Sequence, residues 1–189
     1  MNETLVHLKQ SLKTLNLTEA AQIVDESLME AEKHEWTCRE FLQRLLRHEI
    51  VRREEKQLAR RYKWASFPEV KTLDEFRLEE QPSLSKRQFE QLRELLWLEQ
   101  NYNLILLGPP GVGKTHIAIG LGVEALNNGC KVSFVPMDHL IQLLKTQEIS
   151  RSSQYKLRRI YNSDLVILDD LMFMAMDRNE ANLFFQFVN

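Results

Sequence analysis

The sequence has 189 residues, of which 43% are hydrophobic, and its formal net charge is −2. This length suits one α/β domain with a small appendage, and the near-zero net charge gives no global signal for a polyanionic partner. The two cysteines, Cys38 and Cys130, lack metal-ligand spacing, and no apolar run of about 18 residues predicts a membrane span. We therefore expect a cytoplasmic protein with reduced thiols and no membrane association.

Residues 1–65 are predicted to form a small all-helical N-terminal domain. Apolar residues recur there at helical spacing, and neither Gly nor Pro occurs before Pro68. Thr18 is expected to cap a second helix, and Thr37 and Glu40 have the spacing of a capping box that begins a third. The apolar side of that third helix is expected to carry Phe41, Leu42, Leu45 and Leu46.

Basic residues are unevenly distributed along the chain. Acidic residues outnumber them in residues 1–38, whereas they outnumber acidic residues in 39–63, and residues 150–163 contain basic residues but no acid. Such helices can neutralise DNA phosphates, but a solvated helix with Glu–Arg pairs at i,i+4 spacing fits equally well. Charge alone leaves both interpretations open. The candidate DNA contacts are Arg44, Arg47, Arg52, Arg53, Arg60, Arg61, Lys156, Arg158 and Arg159.

Residues 66–85 are predicted to be a linker, because Pro68 and Pro82 interrupt helical periodicity. Three apolar residues of this linker are expected to pack on the domain that follows, namely Phe67, Leu73 and Phe76. Ser85 and Gln88 have capping-box spacing and begin the next predicted domain, residues 86–189.

The strongest motif is Gly-x-x-x-x-Gly-Lys-Thr at residues 108–115, the pattern of a phosphate-binding P-loop. Residues 103–107 are predicted to form a buried strand before it, and helical periodicity follows it, as this motif requires. Lys114 is expected to reach the β- and γ-phosphates of ATP, and the Thr115 hydroxyl is expected to bind Mg²⁺. The predicted nucleotide-binding residues are Gly108, Pro109, Pro110, Gly111, Val112, Gly113, Lys114, Thr115 and His116.

A second motif ends in the acidic pair Asp169-Asp170. It follows four apolar residues of a predicted buried parallel strand at 164–169, after another predicted strand at 131–135. Ligands bind at the carboxyl ends of such strands. We expect Asp169 to hold Mg²⁺ and Asp170 to orient or deprotonate an attacking water, although a polar turn would have the same sequence.

The motifs together resemble the IstB-type helper ATPases of bacterial insertion sequences, within the AAA+ class, and more distantly the DnaC-type helicase loaders. The resemblance covers the whole chain, and its motifs lie at residues 12–15, 41–55, 72–76, 103–116 and 165–170. Helicase loaders usually have Asp-Glu where this chain has Asp169-Asp170, and transposition helpers often have Asp-Asp.

The resemblance implies a P-loop NTPase of the AAA+ (ASCE) type, an α/β fold in which helices sandwich a parallel sheet in three layers with strand order 5-1-4-3-2. It also implies ATP and Mg²⁺ as cofactors and ATP-dependent self-association on double-stranded DNA. A transposase is the implied protein partner, and the basic helices at 39–63 and 150–161 are implied to face DNA.

Two departures from the family affect these expectations. Leu171-Met172-Phe173-Met174 stands where the family usually has a glycine two residues after the acidic pair. Family members also continue further, with strands four and five, a polar sensor residue and an arginine finger. We therefore expect an ATPase domain incomplete at its C-terminus, whose first strand lacks its ladder neighbours, with weak ATP binding and little turnover.

Alternative functions remain open at this point. A replicative helicase loader would have the replicative helicase rather than a transposase as its partner. A small-molecule P-loop kinase would need an Arg-rich lid, and no such segment stands out. An inactive truncated remnant is the remaining possibility.

Overall fold

A computed structural model of the chain describes residues 3–171 and 176–188. Residues 172–174, where the sequence departs from the family pattern after the acidic pair, lie outside this described part. The helices are α1 (Glu3–Thr14), α2 (Thr18–Lys33), α3 (Cys38–Ala65), α4 (Lys86–Arg93), α5 (Leu96–Glu99), α6 (Lys114–Asn127), α7 (Met137–Thr146), α8 (Arg151–Tyr161) and α9 (Arg178–Val188). The strands are β1 (Val132–Pro136) and β2 (Leu165–Asp169), and short 3-10 turns occur at Leu73–Glu75 and Leu78–Glu80. The fold is α/β, with helices dominant and a small parallel sheet.

The chain forms two compact units, residues 1–59 and residues 60–189. The core of the first unit is small and consists mainly of Ala20, Val24 and Leu45. The prediction for the apolar side of α3 is only partly confirmed. Phe41 and Leu45 pack in this core, whereas Leu42 and Leu46 are exposed. The face of α3 that α1 and α2 cover is therefore narrower than the periodicity suggested.

The start of α2 is stabilised by a residue that lies 30 positions away in sequence. Glu49 is only 2% exposed, and its Oε2 accepts hydrogen bonds from the backbone amides of Glu19 and Ala20, at 2.8 Å each. Leu17 occupies the N-cap position. The prediction that Thr18 caps this helix is therefore wrong, because a carboxylate from α3 satisfies the helix amides instead.

The predicted capping boxes at the starts of α3 and α4 are confirmed. The backbone amide of Thr37 donates to Glu40 at 2.7 Å, and the Glu40 amide donates to the Thr37 hydroxyl at 3.3 Å. Ser85 and Gln88 exchange the equivalent bonds at 3.0 and 3.3 Å. Each box satisfies amides that have no intrahelical acceptor.

The sheet of the second unit consists of β1 and β2, paired in parallel from Val132–Leu165 to Pro136–Asp169. These are the strands predicted at 131–135 and 164–169. One core cluster places β1 and β2 residues against α6, as in the burial of Leu126, Phe134 and Ile167. A second cluster places other residues of the sheet against α7, α8 and α9. The carboxyl end of β2, where Asp169 lies, is thereby fixed from both sides.

The strand predicted at residues 103–107 is absent, which corrects the sequence-based expectation. In the described part of the chain no strand pairs with this segment. Its residues therefore have no ladder of backbone hydrogen bonds, and Ile105 and Leu107 remain 71% and 77% exposed. Leu106 still packs against the core, so the segment leads directly into the P-loop.

The predicted linker at 66–85 belongs to the second unit and packs closely against its core. Leu73 is fully buried, and Phe67 and Phe76 are half-buried against the same core cluster, so the prediction for these three residues is confirmed. Thr72 and Glu75 form a further capping box around one 3-10 turn. We refer to residues 72–76 as the 72–76 strap.

Among the helices described for residues 3–171 and 176–188, none combines the length and the apolar character needed to cross a bilayer.

Candidate nucleotide-binding site

The turn of the P-loop ends at Gly113, the N-cap residue of α6, and the last two motif residues, Lys114 and Thr115, begin that helix. Gly113 has φ 87° and ψ 19°, and Gly111 has φ 81°, a backbone region that other L-residues adopt only at a cost. Within the described residues, the backbone amides of 114–116 donate to no protein acceptor. They therefore form the free, electropositive end of a 14-residue helix, which is the arrangement that favours a bound phosphate.

Lys114 folds back over the loop that precedes it. Its Nζ donates to the carbonyl oxygens of Gly108 and Pro109, at 2.9 and 2.8 Å. Both are neutral acceptors, and a charged phosphate oxygen forms a stronger hydrogen bond with an ammonium group. The lysine is thus held beside the free amides of residues 114–116 by contacts that a phosphate group can replace.

Thr115, in the first turn of α6, and Asp169, at the carboxyl end of β2, lie next to each other. The Thr115 hydroxyl lies 3.2 and 3.1 Å from the two carboxylate oxygens of Asp169. Both groups are hard oxygen donors of the type that Mg²⁺ prefers. Adjacent ligands of an octahedral Mg²⁺ shell, with bonds near 2.1 Å, are separated by about 3.0 Å. The pair therefore fits Mg²⁺, which would polarise phosphate oxygens when bound.

Asp170 follows directly and has a left-handed backbone with φ 61°. This conformation is uncommon for a residue with a Cβ, although Asp tolerates it better than most. The turn takes the chain away from β2 immediately after Asp169. Its carboxylate is exposed to solvent at the end of the strand, so it is accessible to water.

Direct packing of α6 on β2 determines the distance between Thr115 and Asp169. Gly122 lies so close to the sheet that an added Cβ would be 2.8 Å from the Ile167 side chain and 2.8 Å from the Phe67 ring. Among the described residues no strand lies between the P-loop segment and β2 to join the two halves of the site. In the structure they are held by this helix–strand contact.

The 72–76 strap packs against the P-loop, with the ring of Phe76 next to Gly113. A Cβ added to Gly113 would lie 2.6 Å from Cε2 of Phe76, whose ring also packs against Phe89 and His116. The Nε2 of His116 lies 2.8 Å from the carbonyl oxygen of Thr72, so Nε2 carries the proton and donates. The ring of His116, a predicted nucleotide-binding residue, therefore contacts the strap.

The packing of Leu73 and Phe76 on this domain was predicted from the sequence, but the contact of Phe76 with Gly113 and that of Leu73 with α6 were not. Leu73 packs on α6 where Gly120 has no side chain, because a Cβ there would lie 2.5 Å from Leu73 Cδ2. A glycine inside an apolar helix was the available signal, since it indicates a close approach by another segment.

The candidate DNA contacts in the first unit are largely neutralised by carboxylates. Arg44 pairs with Glu30 at 2.7 Å, and Arg52 pairs with Glu55 at 2.8 Å. Arg53 pairs with Glu49 at 2.6 Å and also donates to the carbonyl of Asn16. Arg44 additionally lies 5.2 Å from the centroid of the Trp36 ring. Arg47 forms no ion pair among the described residues. Carboxylates therefore pair with three of the four candidate arginines of this unit, but only Arg53–Glu49 has the i,i+4 spacing expected from the sequence.

The candidate contacts in the second unit differ in this respect. Within the described chain, none of these five basic residues forms an ion pair with a carboxylate: Arg60, Arg61, Lys156, Arg158 and Arg159. Arg61, Arg158 and Arg159 line one cavity, and Arg159 donates to the Ser66 hydroxyl at 2.9 Å. The structure thus separates the predicted set into paired residues in one unit and unpaired residues in the other.

Comparison with known proteins identifies relatives over almost the whole chain. Residues 10–189 match the family described as IstB-like ATP binding protein. A Pseudomonas aeruginosa protein, named as an ATP-binding protein of insertion sequence IS21, is 37% identical over 96% of this chain and 69% of its own length. A Bacteroides fragilis protein (strain YCH46), named as IS21-like, is 35% identical over 99% of this chain and 96% of its own length. One from Bacillus thuringiensis subsp. berliner, named for insertion sequence IS232, is 32% identical over all of this chain and 76% of its own length.

Proposed function

Because this chain belongs to the family of IstB-like ATP binding proteins, we propose that it is an ATP- and DNA-binding helper ATPase that assists a transposase. The nucleotide-binding part of this proposal rests on one observation, the 3.1 Å distance between the Thr115 hydroxyl and a carboxylate oxygen of Asp169, next to Lys114 of the P-loop. Two motifs separated by 54 positions in sequence thereby supply a phosphate site and a magnesium site in one place.

In this proposal the backbone amides of residues 111–115 and the Lys114 ammonium bind the β- and γ-phosphates of ATP. Thr115 and Asp169 hold Mg²⁺, which lowers the cost of bringing negative charge together at the phosphates. Asp170 orients or deprotonates the water that attacks the γ-phosphate. The 72–76 strap maintains the loop in its binding conformation.

The architecture follows from the same proposal. Residues 86–189 constitute a P-loop ATPase domain of the AAA+ type, built as a three-layer α/β/α sandwich, and residues 1–65 constitute a helical N-terminal domain. The packing of residues 66–85 on the ATPase part supports treating this segment as part of the nucleotide site. We place the protein in the cytoplasm, where ATP and chromosomal DNA are both present.

The transposition role is supported by the relatives, whose names assign them to insertion sequences. Basic residues without carboxylate partners in the second unit, such as Arg158, support contact with double-stranded DNA. ATP-dependent self-association on DNA and stimulation of a transposase complete the proposed activity. The alternative function, that of a helicase loader, would differ from this one only in its protein partner, which would be the replicative helicase.

The proposal is tested by measuring DNA binding and nucleotide binding together. Filter binding of a labelled duplex is expected to tighten when ATP and Mg²⁺ are added, and Lys114→Ala is expected to abolish this effect. A duplex affinity that does not respond to ATP in the parent chain would contradict the helper function. Capture experiments with purified transposase and purified replicative helicase then distinguish the two partners.

A further inference from the structure

The second unit contains a cavity of about 320 Å³ on the side of the sheet where β1 begins. It lies between the end of α3, the start of β1 and α8. We call it the basic cleft and define it by six of its lining residues, which are Arg61, Trp64, Lys131, Tyr155, Arg158 and Arg159. No residue of the P-loop or of the acidic pair lines it, so it is separate from the nucleotide site.

The charge of the basic cleft favours an anion. Four cationic side chains line it, from Arg61, Lys131, Arg158 and Arg159, and in the described chain none has a carboxylate ion-pair partner. An acidic residue, Asp164, also lies close by, and its carboxylate accepts a hydrogen bond from the Lys131 backbone amide at 2.7 Å. The carboxyl ends of α3 and α8 each add a partial negative charge of about −0.5. Together with the Asp164 carboxylate they offset only part of the four positive charges, so the cleft remains positive.

The guanidinium of Arg159 is incompletely satisfied. One terminal nitrogen donates to Ser66 at 2.9 Å, whereas the Nε–H is buried and has no hydrogen-bond partner among the described residues. Buried donors in folded proteins nearly always have an acceptor. A guanidinium held in this way without a carboxylate is suited to an acceptor that arrives with a ligand, and phosphate oxygens match its geometry.

Two aromatic side chains stand beside these cations. Trp64 and Tyr155 line the cleft and are 49% and 66% exposed, so their rings are available for stacking. Cations interleaved with exposed aromatic rings are the combination by which proteins bind single-stranded nucleic acid, because phosphates contact the cations and bases stack on the rings. A duplex keeps its bases within the helical stack, so it offers phosphates to the cleft but no free base.

We propose that the basic cleft binds one nucleotide of an unpaired DNA strand, with its base stacked on Trp64 and its phosphate on Arg61, Arg158 and Arg159. This inference rests on the proposed DNA-binding function and narrows it. The cavity lies at the lower end of the range of roughly 300–1,000 Å³ that small-ligand sites occupy, which suits one nucleotide. The helper ATPase would thereby hold DNA that has been locally opened or distorted.

The test uses the 189-residue chain and the fluorescence anisotropy of labelled oligothymidylate, beside a blunt duplex of the same length. Trp64→Ala is expected to weaken oligothymidylate binding about fivefold or more, the lower end of the loss for one stacked base, while Trp64→Phe retains most of the affinity. Arg158→Glu is expected to weaken the same binding and to reduce its salt slope by about 0.7 or more. Duplex binding is expected to change less in both Trp64 variants, because a duplex offers phosphates but no free base, whereas Arg158→Glu is expected to weaken duplex binding as well.

Matched controls come from exposed residues outside the cleft. Arg87→Glu reverses a surface charge on α4, and Tyr102→Ala removes an aromatic ring that is 65% exposed. Neither is expected to change oligothymidylate affinity. Circular dichroism melts of every variant establish that the unit is folded.

Three results would overturn the inference. The first is a parent chain that does not bind oligothymidylate, and the second is Trp64→Ala binding it as tightly as the parent does. The third is competition by an acidic peptide that is as strong as competition by oligothymidylate, which would assign the basic cleft to a protein partner. If ATP-dependent duplex binding persists in each case, the proposed function stands and only the cleft assignment fails.

Discussion

Gly113 offers the sharpest test of how the P-loop is held, because two separate penalties apply to any side chain there. Its φ of 87° is unfavourable for alanine, which costs about 1–2 kcal/mol. The new Cβ would also lie 2.6 Å from Cε2 of Phe76. That ring is stacked on Phe89 and packed against His116, so it cannot move freely, and such overpacking costs about 1–3 kcal/mol.

Gly113→Ala is therefore expected to lower the unfolding free energy of the chain by about 2–5 kcal/mol. Gly111 provides a matched control, since its φ is 81° but an added Cβ would have no neighbour within 4 Å in the described part of the chain. Gly111→Ala should cost only the backbone part, about 1–2 kcal/mol.

Phe76→Ala distinguishes the two penalties. In combination with Gly113→Ala it should remove the overlap, giving a favourable coupling energy of about 1–3 kcal/mol in a double-mutant cycle. In combination with Gly111→Ala the effects should add, because no contact is shared. Urea unfolding supplies the free energies, and titration with a fluorescent ATP analogue reports whether the loop keeps its binding conformation. Equal costs for the two glycine variants, with additivity in both cycles, would refute the account of the strap.

The remaining predictions concern the acidic residues. Asp169→Asn should weaken Mg²⁺-dependent ATP binding about tenfold or more, which a calorimetric titration with and without Mg²⁺ checks. Asp170→Asn should leave ATP affinity nearly unchanged but slow any ATP hydrolysis about a hundredfold, and hydrolysis at the parent rate would remove its proposed role. Burial opposes ionisation of Glu49, but hydrogen bonds from the Ala20 amide, Arg53 and the Glu19 amide outweigh it and lower its pKa below 4.5. The stabilisation from Glu49 is therefore present above about pH 4.5 and lost as the pH falls through the lowered pKa, so Glu49→Gln should lessen the acid sensitivity of unfolding free energy.

The residues that lie together at the candidate site could be predicted from the sequence because short motifs contain them. The glycines, Lys114 and Thr115 occur in one unbroken pattern, and Asp169 follows an apolar strand at the end where ligands bind. The capping boxes at Thr37 and Ser85 were predictable for the same reason, since both partners lie within four residues of each other.

Features that depend on distant partners could not be predicted in this way. Thr18 looked like a cap, but Glu49 satisfies the amides of α2 from another helix, which no local pattern indicates. Residues 103–107 have the apolar sequence of a strand, yet a strand exists only when a neighbour pairs with it, and among the described residues none does. The position of Phe76 behind Gly113 likewise depends on tertiary packing of a segment that looked like a linker.

The central claim, that this P-loop binds ATP with Mg²⁺, is tested most directly by isothermal titration calorimetry on the parent chain and on Lys114→Ala. Lys86→Ala serves as the matched control, because Lys86 is an exposed lysine on α4, outside the P-loop. We expect ATP affinity to fall at least about tenfold, or about 1.4 kcal/mol, in Lys114→Ala and to remain unchanged in Lys86→Ala. Equal ATP affinity in the parent chain and in Lys114→Ala would contradict the assignment of the site.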